Sequence, residues 1–218
     1  MSVFRSLVRG VAIPAVVAAV AGASVACPSL AADAGVAKDA KATKPIAVGA
    51  ALPDVSVKSV EGADVRLSSL HQKGPVVLVF FRGGWCPICT KHTADLIKAL
   101  PQIKSAGATL VGVSPDDPSH SQANASKNSI PFPIFSDSDV VAAKAFGLAF
   151  HVDDETVKKY KGFGIDLDKA SGRDHHALPI PAVYIVDQSG KVVFAHSNPD
   201  YRQRLDAAKI VAELKKLN

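Results

Sequence analysis

Aromatic residues make up only 6% of this 218-residue chain, which has three cysteines, one methionine and one tryptophan. Charged residues are a modest 21% and hydrophobic residues 48%, which excludes a disordered chain, a coiled coil and a collagen. The net charge of +5 comes from basic residues scattered mostly singly, which indicates solvated surfaces and no nucleic-acid partner. The length predicts one domain with extensions.

The amino terminus has the three parts of a secretory signal. Residues 1–31 contain Arg5 and Arg9, no acidic residue, an apolar run over 11–26 and the small-residue stretch Ser29-Leu30-Ala31. The apolar run spans about 16 residues where a membrane helix needs roughly 20, so no stable membrane insertion is predicted. We expect cleavage after Ala31 and export to the periplasm or the medium.

An alternative cut before Cys27, where Ser24-Val25-Ala26-Cys27 loosely resembles a lipobox, would instead give an anchored lipoprotein.

The rest of the chain divides into a leader and a body. Residues 32–47 are Ala, Lys, Asp and Thr with no apolar period, which predicts a flexible leader. The folded domain is then 48–218.

The body alternates strand and helix patterns. A hairpin is predicted around Glu61-Gly62, and the continuous apolar run over 75–81 is typical of a buried central strand. Further predicted elements are a helix after Cys89 that Gly107 ends, strands over 108–113, 132–135, 182–186 and 192–194, helices over 118–128 and 138–146, and a last helix from about Asp200. This order predicts the α/β class, with one central mixed sheet flanked by helices. The irregular stretch over 150–179 is predicted to be a wall of the active site or a contact in a homodimer.

Two cysteines, Cys86 and Cys89, form the sequence Cys-Pro-Ile-Cys between a buried strand and a helix. A helix amino terminus favours a thiolate there, the form that attacks disulfides and peroxides. A disulfide closing a ring this small adds only roughly 2 kcal/mol of stability in the chain-entropy model, so the pair is predicted to be redox-active. No second pair supplies zinc ligands, and no metal site is predicted.

Residues 76–89, VVLVFFRGGWCPIC, are followed by ATLVGVSPDD, FPIFSD and IPAVYIVDQSGKVVFAHSNPDYRQR. These segments resemble the thioredoxin superfamily, and within it the peroxiredoxin-like redoxins of the alkyl hydroperoxide reductase and thiol-specific antioxidant family. The resemblance implies a thioredoxin-like fold with an amino-terminal β-hairpin. It also implies a hydroperoxide substrate, an external dithiol or thioredoxin-like reductant, and no bound cofactor.

The resemblance leaves the roles of the two cysteines open. The Thr-x-x-Cys pattern of peroxiredoxins makes Cys89 peroxidatic and Cys86 resolving, whereas the thioredoxin pattern makes Cys86 the nucleophile. Trp85 matches the thioredoxin tryptophan, and Pro181 matches the thioredoxin cis-proline, where peroxiredoxins carry an arginine. Arg82 is the candidate replacement for that cation.

We therefore expect an exported thiol peroxidase that cycles Cys86 and Cys89 between dithiol and disulfide, with Cys89 peroxidatic. One alternative is a thiol:disulfide oxidoreductase acting on protein disulfides. A less favoured one is a copper-binding thioredoxin-fold chaperone that uses the cysteines with His175-His176. His92, one turn beyond Cys89, is predicted to lie on the helix surface.

Overall fold

The computed structural model describes residues 35–217, so the predicted signal and Cys27 lie outside the described residues. The strands are β1 (Ser56–Lys58), β2 (Asp64–Arg66), β3 (Val76–Phe80), β4 (Thr109–Ser114), β5 (Ile134–Ser136), β6 (Ala149–His151), β7 (Ala177–Pro179), β8 (Ala182–Val186) and β9 (Val192–Ser197). The helices are α1 (Pro87–Ser105), α2 (Pro118–Lys127), α3 (Val141–Ala145), α4 (Asp154–Gly162), α5 (Leu167–Ser171) and α6 (Ala207–Leu214).

Seven strands form one mixed sheet in the order β2-β1-β5-β4-β3-β8-β9. Strands β3, β4 and β5 are parallel, while β8 and β9 continue the sheet antiparallel beside β3, and the β1–β2 hairpin pairs antiparallel with β5. Strands β6 and β7 form a separate pair. The predicted α/β class, mixed sheet and amino-terminal hairpin are confirmed.

Strand β3 is buried along its whole length and contributes side chains to the core on both faces of the sheet. Val77 and Val79 belong to the core layer that contains α1 and α6, whereas Leu78 and Phe80 belong to the opposite layer. There the ring of Phe80 lies 4.8 Å from that of Phe146. Because side chains alternate across a strand, a continuous apolar run is what burial on both faces requires.

The predicted flexible leader is wrong for residues 37–46, which we call the strap. Ala37 exchanges backbone hydrogen bonds with β6, accepting from the amide of His151 at 2.8 Å and donating to the carbonyl of Ala149 at 2.9 Å. Further along, the Ile46 amide donates to the carbonyl of Phe146 at 3.0 Å. The strap pairs through its backbone with an open strand edge. Because backbone pairing does not require a periodic pattern of apolar side chains, this contact could not be predicted from the sequence.

Two other regions differ from the expectation. The stretch over 150–179 is mostly regular, because it contains α4, α5 and β7. The last helix starts at Ala207, where the Asp206 side chain accepts from the Ala208 amide at 2.9 Å, and not near Asp200. Residues 199–206 form neither helix nor strand, and we call them the 199–206 loop.

No helix within residues 35–217 combines the length and apolar character needed to cross a membrane.

Candidate active site

The central strand β3 leads through a short loop into α1, and both cysteines lie at this junction. Cys86 is the amino-terminal cap residue, Pro87 occupies the start of the helix, and Cys89 lies in the first turn. Proline costs nothing there, since the first helical amides have no partner within the helix. Each cysteine is 2% exposed and both are free thiols. The structure therefore brings the predicted redox pair together at a helix amino terminus.

The two thiols differ in acidity. The hydrogen bond from the Cys89 thiol, with smaller contributions from the positive charges of Arg82 and Arg204, lowers the pKa of Cys86 to about 6, although burial acts in the opposite direction. The Cys89 backbone amide also lowers this pKa, although the Cys86 side chain makes no full capping hydrogen bond. Burial raises the pKa of Cys89 above its ordinary value. These surroundings favour a thiolate on Cys86 over one on Cys89.

Arg82, the predicted replacement cation, is only 4% exposed and lies among aromatic rings. Its guanidinium carbon is 4.1 Å from the ring centre of Tyr201, 5.3 Å from that of Trp85 and 5.4 Å from that of Tyr160. Its Nη2 donates to the Tyr160 hydroxyl, and its Nε has no hydrogen-bond partner. Because the rings keep water from this cation, its effect on the thiols is stronger than that of a solvated arginine.

Tyr160 belongs to α4, in the stretch that sequence analysis could not resolve into elements. Its hydroxyl holds Arg82, 78 residues earlier in the chain. This contact places part of the 150–179 stretch against the loop before the cysteines, so the geometry favours the predicted wall of the active site.

Arg204 is a candidate site residue that sequence analysis missed. Its Nη2 donates to the Cys89 Sγ at 3.2 Å, and its Nε donates to the carbonyl of Tyr201 at 2.8 Å. The expected helix from about Asp200 hid this role, because a helical Arg204 would be one basic residue among several. One feature of the sequence pointed to such a residue. Pro181 stands where peroxiredoxins carry an arginine, so the positive charge near the thiols has to come from another part of the chain.

The predicted surface position of His92 is wrong, because its side chain is 7% exposed. Its Nε2 faces the carbonyl of Leu205 at 3.1 Å, and therefore carries the proton that is donated. Burial, and next the nearby charge of Arg204, lower the pKa of His92 to about 4. The imidazole is consequently neutral at pH 7.

Asp116, at the end of β4, supports the loop before the cysteines. Its Oδ2 accepts from the Gly84 amide at 2.6 Å, and its Oδ1 is buried without a partner. Burial raises the pKa of this carboxyl to about 6. Trp85, the next residue of the loop, packs with its ring centre 5.9 Å from that of Tyr160.

The cis-proline expected at Pro181 is wrong, because the Ile180–Pro181 peptide bond is trans. The residue joins β7 to β8 in extended chain, where the trans form is the default for a prolyl bond. Pro181 nevertheless lies near the site, because it lines a cleft of about 320 Å³ together with Arg82, Tyr160 and Tyr201. Lys38 of the strap also lines this cleft.

The histidines proposed as copper ligands have other partners. His175 pairs through Nε2 with the carbonyl of Ser138 at 2.8 Å, and His176 with the carboxylate of Asp168 at 2.6 Å. Within residues 35–217, no three His, Cys, Asp or Glu side chains are grouped as a metal site requires. The copper alternative therefore gains no support.

Comparison with known proteins identifies the family. The model of the AhpC/TSA family matches residues 48–195, which is more than half of the chain. The chain belongs to the AhpC/TSA family. Relatives include the chloroplastic peroxiredoxin Q of Populus jackii, 31% identical over 150 residues that cover 69% of this chain and 60% of that protein. That of Sedum lineare is 30% identical over 159 residues, which cover 73% and 71%.

Solved structures of other proteins share the fold. Peroxidoxin BcpB from Mycobacterium tuberculosis superposes with a TM-score of 0.61 at 22% identity, covering 78% of this chain and 97% of that one. Reduced Prx3 from Vibrio vulnificus, solved with hydrogen peroxide, gives a TM-score of 0.64 at 22% identity, covering 78% and 99%. The expected thioredoxin-like fold is confirmed. The chain spans only 60% of the length of the first of its sequence relatives.

Proposed function

We propose that this AhpC/TSA family member is an exported thiol peroxidase that reduces hydroperoxides with Cys86 and Cys89. One observation carries the proposal. The two thiols lie at the amino terminus of α1 near two guanidinium groups, and the pKa of Cys86 is lowered to about 6. Thiolate is the form that attacks a peroxide bond. The names of its relatives, peroxiredoxins and a peroxidoxin, support the same activity.

The cycle uses the two thiols in turn. The Cys86 thiolate attacks one peroxide oxygen, the O–O bond breaks, and the other oxygen leaves as an alcohol or water after taking up a proton. Cys86 is then a sulfenic acid. The Cys89 sulfur attacks the Cys86 sulfur and releases water, which forms the disulfide. An external dithiol reduces this disulfide by exchange and is itself oxidised.

Assigning Cys86 as the first nucleophile departs from the expectation based on the Thr-x-x-Cys pattern. The assignment rests on the lowered pKa of Cys86 and on the burial that raises the pKa of Cys89. Arg204 contacts Cys89, so it would stabilise negative charge on that sulfur when the disulfide forms or is reduced. Arg82 supplies the second positive charge near Cys86.

The test is hydroperoxide consumption with dithiothreitol as donor, comparing wild type with Cys86→Ser and Cys89→Ser. We expect Cys86→Ser to lose turnover to the level of free dithiothreitol. In Cys89→Ser the sulfenic acid has no partner, so it should be trapped at Cys86 by a sulfenate reagent and located by mass spectrometry. A sulfenate trapped at Cys89 in Cys86→Ser, with turnover retained, would reverse the two roles.

A second candidate function is thiol:disulfide exchange with proteins. The specific observation in its favour is that the first cysteine of a Cys-x-x-Cys pair, next to Trp85, has the lowered pKa. Reduction of insulin disulfides without hydroperoxide turnover would select this function instead.

Export and the reductant complete the proposal. The predicted signal over residues 1–31 supports export to the periplasm or the medium, where an external dithiol or a thioredoxin-like protein would restore the pair.

A further inference from the structure

The 199–206 loop delivers two side chains to the redox site at once. The Tyr201 ring lies over the Arg82 guanidinium at 4.1 Å, and Arg204 donates to the Cys89 Sγ at 3.2 Å. This loop lacks the hydrogen bonding of a helix or strand, so it is not held by regular structure. The contact between Arg204 and the Cys89 thiol therefore depends on what fixes the position of the loop.

His92 provides that fixed point. The residue lies on α1, the helix that carries both cysteines, and its Nε2 donates to the carbonyl of Leu205 at 3.1 Å. Leu205 directly follows Arg204. Because one rigid helix holds His92 and Cys89, this hydrogen bond ties the loop to the element that carries the thiols.

We infer that His92 is a positioning residue: by holding the Leu205 carbonyl, it keeps Arg204 against Cys89 and so sets the reactivity of the Cys86/Cys89 pair. This inference deepens the proposed function, because it concerns the same thiols. The neutral imidazole exerts no charge effect of its own, so the influence passes through Arg204. The charged or titratable groups around His92 are Arg204, Asp95 and His196.

The measurement is the first thiol pKa of the reduced, purified chain, followed by the ultraviolet absorbance of the thiolate. Arg204→Gln removes the cation and should raise this pKa by about one unit. His92→Phe keeps a ring of similar size without the donor, and should raise it in the same direction by a smaller amount. His92→Gln returns an N–H donor at the same reach and should restore most of the wild-type value.

Arg202→Gln is the matched control, because it removes the same charge from the same loop. The Arg202 guanidinium pairs with Asp200 and not with a cysteine. We expect its shift to be under a third of that of Arg204→Gln. Equal shifts for the two arginines would mean that only long-range charge matters, and the inference would be wrong.

The double variant His92→Phe/Arg204→Gln tests whether His92 acts through Arg204. If it does, the double variant has the thiol pKa of Arg204→Gln alone. A further rise in the double variant, or no rise in folded His92→Phe, overturns the inference. If His92→Phe does not fold, His92→Ala and His92→Gln replace it. The inference then requires a raised thiol pKa in His92→Ala and a wild-type thiol pKa in His92→Gln. The titration uses no hydroperoxide, so its outcome is independent of the peroxidase assay.

Discussion

Cys86 and Cys89 lie one helical turn apart, yet their surroundings push their acidities in opposite directions. Cys86 gains the Cys89 hydrogen bond and two nearby cations, whereas burial dominates at Cys89. In the proposed cycle, this difference would distinguish the attacking thiol from the resolving one.

This difference predicts the pH dependence of alkylation. The thiolate reacts and exists above the thiol pKa, so the rate of Cys86 modification by iodoacetamide should rise as pH increases through about 6 and then level off. Mass spectrometry of the modified peptide between mildly acidic and mildly alkaline pH follows each site separately. Cys89 should stay unmodified across this range. An inflection for Cys86 near the ordinary thiol value of about 8.5 would contradict the prediction.

Among the elements, two largely irregular segments reach the site. The strap contains only the short 3-10 helix Ala40–Ala42, and the 199–206 loop contains neither helix nor strand. The strap pairs with β6, and its Lys38 lines the cleft beside Arg82. The loop brings Arg204 to Cys89. The start of α1 holds the cysteines, and irregular segments bring Arg82 and Arg204 to them.

Gly147 shows how closely the strap packs. Its φ is +66°, and a Cβ there would come within 1.9 Å of the Lys44 carbonyl oxygen. Gly147→Ala should therefore lower the free energy of unfolding by about 2–4 kcal/mol, from the left-handed conformation and from displacement of the strap. Urea unfolding measures the loss.

Gly164→Ala is the control for that change. Gly164 has a similar φ of +77° but open space around its Cβ position, so it should cost only about 1–2 kcal/mol. Equal losses for the two variants would show that the strap yields to the added methyl group without cost.

In the molecule as a whole, residues 1–31 precede the folded body and resemble an export signal. We predict that the chain expressed in a bacterial host is recovered from the periplasmic fraction with an amino terminus at Ala32, because residues 1–31 carry the parts that the export machinery recognises. Cell fractionation and terminal sequencing check this. An Arg9→Glu change beside the apolar run should slow export, and Lys38→Glu beyond the cut should not. Recovery of the uncut chain from the cytoplasm would contradict the prediction.

Sequence alone was enough for the sheet and for the place of the site. The apolar run of β3, the Asp117-Pro118 start of α2 and the Cys-Pro-Ile-Cys junction are local patterns, and each one matches the structure. Local patterns did not predict the side chains that reach the site from segments without regular secondary structure. The helix expected from about Asp200 was an extension of the α6 periodicity into residues whose side chains contact the active site.

The sequence by itself determined the α/β body, its central strand and the cysteine pair at a helix start, because periodicity, caps and turns act over a few neighbouring residues. Only the tertiary structure decided what surrounds the thiols. Arg204 reaches Cys89 across 115 residues of chain, and Tyr160 reaches Arg82 across 78. No local pattern encodes such contacts, since they depend on how the packed sheet, the strap and the 199–206 loop bring distant side chains together.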